Sequence, residues 1–108
     1  MADEWNYTVT IAEGDTETIE CGTTKNASNE TSPSGVAGIA VSPSGNPPDY
    51  IMCDTTGFDS YDWSNHQVTA GDNDIVNKPQ SETVYNPTLE AKAYGGSITL
   101  SVVVQKGA

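Results

Sequence analysis

Trp5, Tyr7, Val9 and Ile11 alternate with Asn6, Thr8 and Thr10, the two-residue period of a strand with one buried face. Ile98, Leu100, Val102 and Val104 repeat that period towards the other end of the chain, with Thr99 and Ser101 between them. Val103 breaks the polar side of this second run. An apolar residue there calls for cover, either from a second sheet or the Leu89 segment, or from a partner. Thr16 to Cys21 alternates again with Ile19 and Cys21 on one side, and the Gly14-Asp15 turn before it predicts a hairpin of the first two strands.

From Gly22 to Gly35 the chain is Gly, Thr, Lys, Asn, Ser and Pro with little that can enter a core, which predicts a long loop. Ser32-Pro33-Ser34-Gly35 recurs as Ser42-Pro43-Ser44-Gly45, two turn sequences bracketing a short strand over Val36 to Val41. Further strands are expected at Asp49 to Cys53, His66 to Ala70, Asp74 to Asn77, Glu82 to Asn86 and Leu89 to Tyr94. Asp54-Thr55-Thr56-Gly57 reads as a turn leading to the aromatic stretch of Phe58, Tyr61 and Trp63. Seven or eight short antiparallel strands at this spacing predict a single all-β domain over residues 1–108, a β-sandwich or small barrel with a loop at 22–35 and extended termini.

Composition agrees. Nine Val, six Ile and thirteen Thr stand against two Leu, and β-branched side chains keep more freedom in strands than in helices. Leu, Ile, Val and Phe total only 18 of 108 residues, which with a net charge of -11 borders on disordered compositions. The aromatic residues and alternating runs argue for order. A core this small gains from burial against neighbours, and Trp5 and Val103 are the candidate interface residues.

Fifteen acidic residues face four lysines and no arginine, so the bidentate phosphate contacts of nucleic-acid readers have no donor and direct nucleic-acid binding is not expected. An acidic surface suits docking onto a basic protein. Met1-Ala2-Asp3-Glu4-Trp5 has neither a basic nor an apolar leader segment, and no stretch is long enough to span a bilayer. The expectation is a chain made in the cytoplasm without a secretion signal. Its sequons at Asn6, Asn26 and Asn29 are then chance, and Cys21 and Cys53 stay reduced.

Candidate chemistry is sparse. His66 is the sole histidine, so a Ser-His-Asp or Cys-His nucleophile must be built around it, and no Gly-x-Ser-x-Gly motif is present. Cys21, Cys53 and His66 lack the paired spacing of zinc ligands. Asp72-Asn73-Asp74, and Asp59 with Asp62, offer calcium-type oxygens but lack the Gly and closing Glu of an EF-hand loop. No enzyme activity, metal or cofactor is expected. Pro47-Pro48-Asp49-Tyr50 matches the Pro-Pro-x-Tyr ligand of WW domains, beside the plainer reading of a stiffened loop entering a strand. Tyr61 and Trp63, near Asp59 and Asp62, suit a sugar-stacking platform.

The Met1 start without a leader, the Thr-, Ser-, Gly- and Asn-rich strands and the Asp- and Glu-rich loops together resemble the small decoration or cement proteins on the heads of tailed bacteriophages. That resemblance implies a non-enzymatic β domain, often trimeric, seated on the major capsid protein at the head surface of the virion and strengthening it. Two other readings stand beside it. One is a glycan- or receptor-binding module using Tyr61 and Trp63; the other is an acidic nucleic-acid mimic.

Overall fold

The chain folds as one long antiparallel hairpin that has been rolled up. In the computed structural model, which describes residues 3–78 and 82–107, the first strand pairs with the last and each later strand pairs further in. β1 (Glu4–Ile11) pairs with β9 (Ile98–Lys106), and β2 (Thr16–Glu20) with β8 (Thr88–Tyr94). β3 (Gly35–Ser44) pairs with β6 (Asp74–Asn77), and β4 (Tyr50–Thr56) with β5 (His66–Thr69). A two-residue strand, β7 (Val84–Tyr85), extends the β3 edge beside β6. Asp59–Tyr61 forms a 3-10 turn, the sole helical element among the described residues.

Rolling the hairpin interleaves its four nested pairs into two antiparallel sheets, β1-β9-β3-β6 and β2-β8-β4-β5. This order is that of an eight-stranded jelly roll, a β-sandwich, with β7 as an addition. The expected sandwich is therefore present. The expected hairpin of β1 with β2 is not. Their four-residue connection crosses between sheets because Gly14, at φ 82°, donates its N–H to Ala93 O of β8 and Ala93 N donates to Asp15 O.

Two strands outrun their sequence boundaries. Ser42-Pro43-Ser44 continues β3 rather than turning, since it pairs with Thr99 to Ser101 of β9, and Asp54 to Thr56 continues β4 against β8. Pro43 is tolerated because its missing donor faces the β6 side of β3, where β6 pairs only from Gly38 to Val41 and the Pro43 carbonyl accepts from Gly71 N. The 22–35 loop does enter the core at one point. Ser32 is 3% exposed, and its N–H donates to Thr24 O.

Alternation puts one face of each sheet inside. Val36, Ile39, Val41, Ile98, Leu100, Val102 and Val104 of the first sheet meet Ile19, Ile51, Leu89, Ala91 and Ala93 of the second. Each fully buried aliphatic side chain contributes about 1.5 to 3 kcal/mol. Phe58, fully buried, and Pro87 plug one end of the sandwich. A register shift between Val36 and Gly38 keeps both Val36 and Ile39 facing inwards.

Candidate interaction surface

The outer face of the first sheet carries almost no charge. Outward residues lie opposite one another across three or four strands in rows that the pairing register defines. Asn6, Val103, Ala40 and Ile75 form one row; Thr8, Ser101 and Ser42 form the next; Thr10, Thr99 and Ser44 form a third. None of these is ionisable. A fourth row, Glu4, Gln105, Gly38 and Asn77, brings in one carboxylate at the corner. The outer face of the second sheet differs, with Glu20, Glu90, Asp54 and Lys92 among its outward positions.

Of the three large hydrophobic side chains exposed among the described residues, two belong to the uncharged face. Ile75 is 39% exposed and ends the Val103 row, while Tyr85 is 67% exposed and lies beside Gly35, where an added Cβ would meet its ring at 3.3 Å. Val103 is half-buried between Asn6 and Ala40. The second sheet does not cover it, because that sheet packs on the opposite face, against Val102 and Val104. The Leu89 segment lies within the second sheet with Leu89 pointing into the core. Both covering elements that the sequence suggested are therefore elsewhere.

Trp5 lies on the inner side. Its ring is 4% exposed and stacks on Tyr7 at 5.4 Å, and its indole N–H donates to Glu30 O at 2.8 Å, tying the 22–35 loop to β1. Asn26 Nδ2 donates to Asn6 O and strengthens that tie.

The loop over residues 57–65 holds the aromatic stretch. Asp62 accepts from Phe58 N at 2.9 Å and from the Thr55 hydroxyl, and Thr55 Oγ1 accepts from Trp63 N at 2.7 Å. Tyr61 is exposed, whereas Trp63 packs on the core and stacks on His66 with centroids 4.6 Å apart. The second sheet carries an aromatic pair the sequence reading passed over: Tyr50 and Tyr94 stack at 5.1 Å, with Lys92 Nζ 5.2 Å from the Tyr94 ring. Their positions on the polar sides of two alternating strands were visible, but their adjacency depends on β4–β8 pairing. Tyr50 is thus held by the sheet.

His66 bonds Asp74 through Nε2 at 2.6 Å, and this contact together with the Ile75 N–H holds the Asp74 carboxyl below its ordinary value. Cys53 lies directly opposite His66 across β4 and β5. Cysteine, histidine and carboxylate are thus neighbours, yet the thiol is fully buried and pushed up to about 12, chiefly by burial. A nucleophilic cysteine needs a thiolate that substrate can reach, and this one is neither ionised near neutrality nor open. Cys21 is likewise unbonded, buried and pushed up to about 11.

Acidic residues gather in loops. Glu13, Asp15, Asp49 and Asp72 occupy the connections at the end of the sandwich where β1 stops and β9 begins. Asp59 pairs with Lys78 at 3.2 Å and Asp62 is used within its own loop, so neither offers a free oxygen pair. Among the described residues, no three His, Cys, Asp or Glu side chains converge on a point where a metal ion fits, and no helix is long and apolar enough to cross a membrane. Searches of protein-family models, curated proteins and solved structures found no match to this chain.

Proposed function

We propose that this chain is a non-enzymatic structural component of a virion, decorating and stabilising a bacteriophage capsid, and that the outer face of the β1-β9-β3-β6 sheet is its working surface. The observation that carries this reading is that face itself. A chain of net charge -11 keeps three rows of one sheet surface free of charge, with Glu4 at the corner of the fourth, and places Ile75 and Tyr85 on that face. Exposed apolar groups within a flat, charge-depleted patch are the usual mark of a surface made to be covered. Jelly rolls build viral capsid proteins and lectins alike, so the fold is compatible with this role without selecting it. The lattice partner in this reading is the major capsid protein, and the acidic loops suit a basic surface.

The test is binding of purified chain to capsids stripped of decoration, followed by co-sedimentation. Val103→Asp weakens attachment at least tenfold, whereas Thr18→Asp, which adds the same charge to the outer face of the other sheet, leaves it unchanged. Equal binding by both variants removes the sheet face from the reading. Failure of the unaltered chain to bind any such particle removes the capsid role.

A further inference from the structure

Resting on the reading of this face as a surface made to be covered, we infer that in the free chain, before a capsid takes the face, its occupant is a second copy of this chain, seated face to face about a two-fold axis. The inference comes from charge. A basic partner has no carboxylate to meet on the three uncharged rows, and an acidic partner has no lysine there. Each would find better complements elsewhere on the molecule, on the acidic loops or at Lys92. Two copies at -11 repel one another, and they can approach closely only where both surfaces are neutral. This sheet is that place, because its rows present hydroxyl, amide and apolar groups, with Glu4 the one carboxylate, at the corner.

The register supplies the geometry. An axis running along the row of Asn6, Val103, Ala40 and Ile75 sets Val103, Ala40 and Ile75 against their own counterparts, so the one apolar stripe on the face pairs with itself. On either side of the axis the row of Thr8, Ser101 and Ser42 meets the row of Glu4, Gln105 and Gly38 of the other copy. Such a contact is isologous and closes at two copies. It makes a dimer where the resemblance to decoration proteins implies a trimer.

Size sets the strength. Four strands about 4.8 Å apart and four rows about 6.7 Å apart give a face of at most about 19 by 27 Å. That is under two-thirds of the ~800 Å² per partner of a standard complex. Association is therefore weak and depends on concentration.

Sedimentation equilibrium of the purified chain, from low-micromolar to near-millimolar concentration and at low and high salt, tests the inference. Salt screens the repulsion between like-charged bodies, so the dimer tightens about tenfold or more as salt rises; a contact between opposite charges would loosen. Val103→Asp and Ile75→Asp abolish the dimer, while Thr18→Asp keeps it, with circular dichroism checking that each variant is folded. In a second measurement, Ala40→Cys and Val103→Cys cross-link to themselves under mild oxidation, and Thr18→Cys does not. A chain that stays monomeric throughout, a dimer that loosens with salt, or a trimer overturns the self-pairing. If Val103→Asp still weakens capsid attachment in a monomeric chain, the face docks onto the particle and the self-pairing alone falls. If Val103→Asp alters neither property, both readings fall.

Discussion

His66 and Asp74 join the two sheets at one open edge of the sandwich, His66 Nε2 meeting Asp74 Oδ2 at 2.6 Å from the first residue of β5 to the first residue of β6. At the opposite edge Tyr7 of β1 donates its hydroxyl to Glu17 of β2 at 2.9 Å, and burial together with that carboxylate raises the phenol. Each edge of the sandwich is therefore closed by one polar pair.

The pH dependence of the first pair follows from the Asp74 carboxyl, which the His66 hydrogen bond lowers from its ordinary 3.8. A carboxyl depressed in the folded state contributes stability that is present above its unfolded value and is lost as pH falls through the folded value. Asp74 is partly exposed, so the contribution is that of a surface pair, up to about 1 kcal/mol. Unfolding free energies of the wild type and Asp74→Asn, from urea titration, differ by this amount near neutrality and converge as pH falls below 3.8. A gap of constant size down to pH values well below that would contradict the assignment.

Cys21 and Cys53 are shielded both by packing and by protonation, with thiols pushed up to about 11 and about 12. Iodoacetamide at mildly alkaline pH leaves the folded chain unmodified and, without reductant, alkylates both cysteines in denaturant. Mass spectrometry reads the result. Modification of the native chain would show that the core opens readily, and no modification in denaturant would show a disulfide.

Phe58 and Tyr85 separate core from surface. Phe58 is fully buried at the end of the sandwich, so Phe58→Ala removes about 3 to 5 kcal/mol of stability. Tyr85→Ala changes it by no more than about 0.5 kcal/mol, because an exposed ring loses little on truncation. Chemical denaturation of both variants decides the point, and a large loss at Tyr85 would mean that its ring packs within the monomer.

Asp62 organises its loop by accepting from Phe58 N and the Thr55 hydroxyl, and Thr55 is 4% exposed. Removing such an acceptor leaves buried donors unpaired, at about 1 to 3 kcal/mol. Asp62→Ala therefore speeds hydrogen exchange at the Phe58 and Trp63 amides while leaving β1 and β9 protected. Uniform acceleration across the chain would instead point to global destabilisation.

The Trp5 to Ile11 and Ile98 to Val104 runs declare strands and buried faces from the sequence alone, because the alternation of side chains across a pleat is a local property of the backbone. The anomaly at Val103 is legible for the same reason. Pairing is not local. Thr10 and Thr99 share a hydrogen bond across 89 residues, and nothing near either one names the other. The small core makes Trp5 an interface candidate, and only the loop folded over it, through Glu30, shows that its ring packs within the chain. Gly14-Asp15 likewise reads as a hairpin turn until β8 draws it across to the second sheet. The uncharged face required most from the tertiary structure. Thr8, Ser101, Ser42 and Ile75 lie on four different strands, and their common surface exists only once the rolled hairpin sets those strands side by side.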